Sequence, residues 1–192
     1  SLITSQKRAR ALELASESLS QTHNEDRIFT HLVEIVAKEL QSNRVSLLHV
    51  DHEQGILQMR AAKGIPPEVV QLAKPKIGEG ISGLCAARGE PIFIADHQQF
   101  KETQGAVSSA DLGLRHDLPM SLTVPIKVRG EVVGVVNVTD RANEDPYTSQ
   151  EITFLSSLMS HAGYLMESAN LIKGLKALQA FSDCVINTLG DP

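Results

Sequence analysis

The chain has 192 residues, the size of one domain, and its 42% apolar and 21% charged residues allow a buried core without disulfides or metal ions. Its net charge of −5 carries no basic block, which argues against nucleic acid or an anionic membrane surface as a partner. No run of residues approaches the roughly 18 apolar positions of a membrane span. Cys85 and Cys184 lie far apart without a paired spacing, which favours a reducing, cytoplasmic setting.

The N-terminal third predicts two helices followed by a hairpin. Residues 2–20 are helix-prone, with apolar positions on one side. The segment from Thr22 to Glu25 has the spacing of a capping box, and the broad apolar stripe behind it predicts a second helix. Two predicted strands, 45–50 and 56–62, then flank a polar turn.

The middle of the chain contains a glycine-rich stretch and a long polar connection. Residues 77–83 are rich in glycine and precede a short helix predicted over 84–88, which Gly89 can end. Residues 91–95 predict a short strand, whereas 96–119 are polar and have no clear period. A connection of that length inside a domain is usually functional or mobile, so it is the first place to expect a ligand.

The C-terminal third carries the strongest strand pattern and the longest helix. Residues 122–128 and 132–138 predict a hairpin at the centre of the sheet. The spacing from Thr148 to Glu151 matches a second capping box, which predicts the start of the final helix. Apolar residues then continue past the domain body in the a/d spacing of a coiled coil, at Leu171, Leu175, Leu178, Val185 and Leu189.

Four stretches resemble the successive signatures of GAF domains: IGEGISG at 77–83, GEPIFIAD at 89–96, LTVPI at 122–126 and GEVVGVVNV at 130–138. The resemblance runs from about residue 24 to 168. It implies an α+β fold of the GAF/PAS-like kind, a twisted antiparallel sheet with helices packed on one face. A small-molecule pocket is implied on the other face, roofed by the long connection.

Members of this family commonly lie upstream of histidine kinases, diguanylate cyclases, phosphodiesterases or transcriptional activators. We therefore expect a signalling helix over 1–22, a GAF domain over 23–168, and a coiled-coil linker helix over 169–192 that leads to an output domain, for example in a two-component system. The terminal helices are expected to form a homodimer, and the identity of the ligand or any cofactor stays open. Eight residues are candidates for the ligand site: Phe93, Asp96, His97, Phe100, His116, Met120, Thr123 and Asn137.

Nucleotide, metal and haem chemistry each have a simpler alternative. Residues 78–83 match the dinucleotide fingerprint G-x-G-x-x-G, but the strand–turn–helix context is missing, so a structural turn is favoured. His49 and His52 stand three apart, and on a strand they would point to opposite faces. His97 or His116 could ligate haem iron, as in some family members, although a lone loop histidine is more often solvated. We predict no metal site.

Two specialised activities of the family are only partly matched. Its reductase of free methionine sulfoxide relies on several cooperating cysteines, whereas Cys85 alone lies in the domain body, where a packing role is favoured. Cyclic-nucleotide-binding members carry Asn-Lys, a later Phe and Asp-Glu, where this chain has Asp-Arg at 140–141, Tyr147 and Glu-Ile at 151–152. We predict a binding module and no enzyme, with such a reductase or a ligand-free dimerisation spacer as alternatives.

Overall fold

The fold is built on an antiparallel sheet, and the computed structural model describes it over residues 13, 25–95, 120–143 and 145–189. Within these residues the sheet has the strands β1 (Ser42–Asp51), β2 (Ile56–Lys63), β3 (Ile92–Ile94), β4 (Ser121–Val128) and β5 (Glu131–Arg141). The helices of the same part of the chain are α1 (Glu25–Glu39), α2 (Pro67–Leu72), α3 (Gly80–Arg88) and α4 (Ser149–Leu189). The predicted α+β class with an extended C-terminal helix is confirmed. The N-terminal helix predicted over 1–22 lies outside the described residues except for Glu13, which is helical.

β5 is the middle strand of the sheet, whose order is β2-β1-β5-β4-β3. It pairs antiparallel with β1 on one side and with β4 on the other. The turn between β4 and β5 places Arg129 and Gly130 at φ 52 and 87, the left-handed values that a two-residue hairpin turn requires. The hairpin predicted for the sheet centre is therefore present, and β5 touches both neighbours.

α1 and α4 cover one face of the sheet and form the main core with it. Every third or fourth residue of each helix faces the sheet, and alternate residues of the strands face the helices. The apolar side chains at these positions pack against each other in one layer. Its largest fully buried side chains from the helices are Ile28, Phe29, Leu32, Leu155 and Leu158, and those from the strands are Leu47, Leu122 and Ile126. Burying each of these stabilises the fold by about 1.5–3 kcal/mol.

α3 covers part of the opposite face and forms a second, smaller core there. Cys85 and Ala86 of α3 pack against strand residues such as Leu48, Leu57 and Val135. The helix begins at Gly80, so the start predicted at residue 84 is wrong. Gly83, one of the glycines that suggested a loop, is needed for close packing, because a Cβ built on it would overlap the carbonyl oxygen of Lys76.

α4 starts at the predicted capping box and runs for 41 residues. The backbone N–H of Glu151 donates to Thr148 Oγ1 at 3.2 Å, and the backbone N–H of Thr148 donates to Glu151 Oε2 at 2.8 Å. The helix packs on the sheet as far as Ala169, which is buried, and beyond it the apolar side chains of Leu171, Leu175, Leu178 and Phe181 are exposed. No helix in the described ranges has both the length and the apolar character needed to cross a membrane.

Gly163 of α4 lies against the backbone of β4, and its replacement tests that contact. A Cβ on Gly163 would overlap the carbonyl oxygen of Lys127, so Gly163→Ala should lower the free energy of unfolding by about 1–3 kcal/mol. Gly174→Ala is the matched control: it lies in the same helix with open space around it, and should stabilise by up to about 1 kcal/mol. Urea unfolding measures both. Equal free energies of unfolding for the two variants would contradict the close contact between Gly163 and Lys127.

Candidate functional site

The sheet face opposite α1 and α4 carries a group of polar side chains beyond the apolar contacts of α3. In one row across the sheet, Ser46 on β1 and Thr123 on β4 both stand opposite Asn137 on β5. In the next row, Arg44 and Ser121 both stand opposite Thr139. Residues directly opposite one another in antiparallel strands share a face. We call this set the polar patch: Arg44, Ser46, Ser121, Thr123, Asn137 and Thr139.

The amide of Asn137 is the centre of a hydrogen-bond network in the polar patch. Its Oδ1 accepts from Thr123 Oγ1 at 2.9 Å, and its Nδ2 donates to Ser46 Oγ at 3.2 Å. The hydroxyl of Ser82, in the first turn of α3, lies 3.0 Å from Nδ2 and 3.2 Å from Oδ1. A single side chain thus ties β1, β4, β5 and α3 together, and its amide is fully used by these contacts.

Two polar groups of the patch keep unused hydrogen-bonding capacity. Ser121 is 2% exposed, and its Oγ is buried without a hydrogen-bond partner among the described residues. Arg44 donates from Nε to the carbonyl oxygen of Gly64 at 3.1 Å, whereas its Nη1 is buried and, in the same part of the chain, unpartnered. A buried polar group without a partner is costly, so these two positions favour a ligand that would complete them.

The structure brings together some of the eight site residues predicted from the sequence. Thr123 and Asn137 are hydrogen-bonded to each other, and Met120 is buried immediately before Ser121. Phe93 lies on the other face of the sheet, where its ring packs edge-on against Tyr147 at 6.1 Å between centroids. The remaining four lie outside the described residues: Asp96, His97, Phe100 and His116.

Most residues of the polar patch are not among those predicted from the sequence. Arg44 lies one residue before the predicted strand start at 45, whereas β1 begins at Ser42. Ser121 and Thr139 each stand two residues from a predicted site residue, and this spacing places them on the same face of a strand. Alternating polar residues within otherwise apolar strands were the available signal.

Cys85 and the glycine-rich turn have structural roles. The backbone N–H of Gly78 donates to the carbonyl oxygen of Gly83 at 2.8 Å, which closes the turn before α3. Cys85 is fully buried, and burial raises the pKa of its thiol to about 12, with only a partial offset from Lys127. Since the thiolate is the reactive form, this cysteine is unreactive in the folded domain.

The histidines of the hairpin between β1 and β2 do not converge. His49 lines a groove beside Arg129 and Glu167, while His52 Nε2 lies 2.8 Å from the carbonyl oxygen of Val132. In the described part of the chain no three His, Cys, Asp or Glu side chains form a group that could hold a metal ion.

The residues that partly match the cyclic-nucleotide pattern join β5 to α4. Arg141 donates to both carboxylate oxygens of Glu151, at 2.7 and 3.1 Å, and the two side chains are 8% and 5% exposed. The guanidinium lies over the ring of Tyr147 at 5.0 Å, and the Tyr147 hydroxyl meets Ser42 Oγ at 3.2 Å. Burial by itself would raise the pKa of Glu151, but hydrogen bonds from Arg141 and Thr148 outweigh it, and the pKa is lowered.

Removing the charge of Glu151 should be strongly destabilising. Glu151→Gln leaves Arg141 buried without its counter-ion, so we expect a loss of about 3 kcal/mol in the free energy of unfolding at pH 7. The lowered pKa means that this stabilisation is complete above the ordinary value of 4.5 and is lost as pH falls through the lower folded value. The difference between wild type and variant, measured by urea unfolding, should therefore shrink in acid.

The control is Arg129→Gln, which breaks the exposed pair between Arg129 and Glu167 and should cost less than about 1 kcal/mol. If the difference in free energy of unfolding between wild type and Glu151→Gln did not change with pH, the stabilising role of the ionised Glu151 would be contradicted.

The two thiols should differ sharply in reactivity. Cys184 is exposed and Cys85 is buried with a raised pKa, so Ellman's reagent should modify one thiol quickly in the native protein and the second only after unfolding. Cys184→Ser should remove the fast phase and leave the slow one. Fast reaction of both thiols would show that Cys85 is accessible.

Comparison with known proteins identifies the family of the chain and two regulatory relatives. The sequence matches the family profile described as GAF domain over residues 22–167. The Nif-specific regulatory proteins of Azospirillum lipoferum and Azospirillum brasilense are each 26% identical over 133 residues, covering 67% of this chain and 20% of theirs. The chain thus spans about a fifth of the length of these curated relatives.

Solved structures agree on the fold. The GAF domain of an Acinetobacter phosphoenolpyruvate-protein phosphotransferase has a TM-score of 0.74 at 20% identity, with 86% of this chain and 96% of that one covered. The free methionine-R-sulfoxide reductase of Neisseria meningitidis has a TM-score of 0.69 at 14% identity, with 86% and 91% covered. These likenesses concern the fold alone, and the family assignment rests on the profile, which covers most of the sequence. The chain belongs to the GAF domain family.

Proposed function

We propose that this chain is a sensory GAF domain that binds a small molecule over the polar patch and passes the signal through α4 to an output domain. The observation that carries the proposal is the division of α4. The helix packs on the sheet up to Ala169 and then continues as an exposed segment with an apolar stripe. One rigid element therefore connects the body of the domain with whatever follows it.

The ligand part of the proposal is supported by the open capacity of the polar patch. Thr123 and Asn137, which the sequence indicated, belong to it. Five other residues predicted for the site stay part of the proposal: Asp96, His97, Phe100, His116 and Met120. Phe93 is left out of it, because its ring lies on the other face of the sheet. A ligand that favours one arrangement of these strands would shift the population of the domain toward it.

The relay part is supported by the course of β5. This strand carries Asn137 in the polar patch and, four residues later, Arg141, which holds Glu151 in the first turn of α4. A displacement of β5 at the patch thus has a short, buried and charge-paired route to the start of α4. Such a route joins two sites by contiguous contacts of the kind that allosteric coupling needs.

The end of α4 supports a homodimer as the relaying unit. The stripe consists of side chains that are each more than half exposed: Tyr164, Leu171, Leu175 and Leu178. Their spacings of seven, four and three residues are those of a coiled-coil seam, and burying each leucine is worth about 1.5–3 kcal/mol. A second copy in parallel would cover the stripe and bring the two C-terminal ends together.

The proposal also divides the chain into segments and assigns it to a cellular compartment. Residues 1–22 and 169–192 are the signalling helices, and 23–168 are the sensory domain. The proposed output domain, such as a histidine kinase or a diguanylate cyclase, follows it, and the proposed setting is the cytoplasm. That the curated relatives are longer regulatory proteins supports a further domain beside this one. Catalysis of the free methionine sulfoxide reductase type is disfavoured because Cys85 is buried with a raised pKa, and Cys184 lies in the exposed part of α4.

Disruption of the stripe should separate the dimer. With Leu171→Gln and Leu178→Gln together, we expect dimer affinity to fall at least tenfold, because four buried leucines are lost per dimer. Sedimentation velocity over a concentration series measures it. The matched control changes Lys173 and Lys176 to Gln, on the outer side of the same turns. A wild-type chain that is monomeric well above micromolar concentration would show the dimeric relay to be wrong.

A further inference from the structure

Arg44 is held in place by a feature built into the end of β2. Gly64 has φ +69, and a Cβ there would meet the Arg44 Cγ at 3.3 Å and overlap the Asn43 carbonyl oxygen. The glycine thus leaves room for the arginine side chain to lie across it, and its carbonyl oxygen accepts from Arg44 Nε. One edge of the guanidinium is fixed, while Nη1 stays buried and has no partner among the described residues.

Arg141 is a buried arginine with a structural role, and its contacts can be compared with those of Arg44. Its guanidinium has two bonds to Glu151, two to the carbonyl oxygens of Asp145 and Pro146, and a ring beneath it. Its Nε is buried without a hydrogen-bond partner among the described residues, as the Arg44 Nη1 is, so the two arginines differ in the carboxylate that compensates the charge of Arg141. Arg44 lies on the neighbouring strand and, across the described ranges, forms no ion pair. Because a guanidinium stays charged at any physiological pH, a partly buried one is stabilised by an anion.

The second open position in the polar patch is Ser121. Thr139 stands between it and Arg44 in the same row, so the two backbones are two strand spacings apart, about 10 Å. The centre of the patch is satisfied internally, because the Asn137 amide is fully bonded. The remaining capacity is therefore a charged donor at one side and a hydroxyl at the other.

We propose that the ligand of this domain is a small organic anion. Its carboxylate or phosphate group pairs with the guanidinium of Arg44, and a polar group at its other end bonds the hydroxyl of Ser121. This inference rests on the proposed function, since it names the class of ligand for the same site. A carboxylate or phosphate matches the donor geometry of a guanidinium, which a neutral group does not.

The test compares charged probes with a neutral one on the intact chain. Succinate, acetate and inorganic phosphate are titrated at constant ionic strength, with succinamide as the uncharged analogue of succinate, and binding is measured by calorimetry and thermal unfolding. We expect at least one anion to bind with a Kd of about 1 mM or tighter and succinamide to bind at least tenfold more weakly. Comparing the affinity for succinate and acetate with the affinity for inorganic phosphate then shows whether the anionic group of the ligand is a carboxylate or a phosphate.

Variants assign the binding to the polar patch. Arg44→Gln should weaken anion binding at least tenfold, Arg44→Lys should weaken it less because the charge is kept, and Ser121→Ala should weaken it several-fold. The matched control is Arg88→Gln, an exposed arginine in the last turn of α3, which should bind as wild type does. The empty Arg44→Gln domain should be only slightly less stable than wild type in urea, because it loses the single hydrogen bond to Gly64 and no intrachain ion pair.

The inference is wrong if succinamide binds as well as succinate, if no anion binds at about 10 mM, or if Arg44→Gln leaves anion binding unchanged. It is also wrong if Arg44→Gln destabilises the empty domain strongly, because Arg44 would then be paired with a carboxylate of the chain itself. A neutral small molecule that protects the polar patch would overturn the anionic ligand and leave the sensory function standing. The two proposals therefore fail separately.

Discussion

The buried ion pair between Arg141 and Glu151 fixes where the middle strand of the sheet meets the longest helix. Both side chains are almost completely removed from water, so each depends on the other for its charge compensation. Glu151 also completes the capping box of α4 with Thr148, and Arg141 also lies over Tyr147. The start of α4 therefore cannot shift along β5 without exposing a buried charge. The direction of the helix across the sheet follows from this anchor and from the close contact at Gly163.

The two faces of the sheet use different forces. The face toward α1 and α4 is an apolar layer, whose stability grows with the area buried and is indifferent to small rearrangements of direction. The opposite face is held at the polar patch by hydrogen bonds that depend on geometry, with Asn137 at their centre. A bound ligand changes the energy of the fold most where hydrogen bonds must be broken and formed again, because these bonds depend on geometry. The polar face is therefore the better place for ligand recognition, and the apolar face stabilises the fold.

Local features of this fold could be predicted from the sequence, and features that depend on strand register could not. The capping box at Thr148 and the stripe at Leu171 follow from spacings of three and four residues, which the sequence displays directly. The polar patch brings Ser46 and Asn137 together across 91 positions, and only the pairing of β1 with β5 places them side by side. The face on which Phe93 lies depends in the same way on the register of β3 with β4. The early start of α3 was missed because the packing of Gly83 on Lys76 is a contact between backbones, which residue preferences do not reveal.

A relay helix has to be rigid where it receives the signal and adjustable where it delivers it. The first half of α4 is rigid, because Glu151 is paired and Gly163 lies against the backbone of β4. The second half is exposed at every position from 173 to 184, and it carries Gly174 and Ser182. Gly174 weakens helix propensity by about 1 kcal/mol relative to alanine, and Ser182 interrupts the apolar repeat. Two such segments in contact would have a seam of moderate strength. A moderate seam can change its packing for a few kcal/mol, which is the scale of free energy that binding one small ligand supplies.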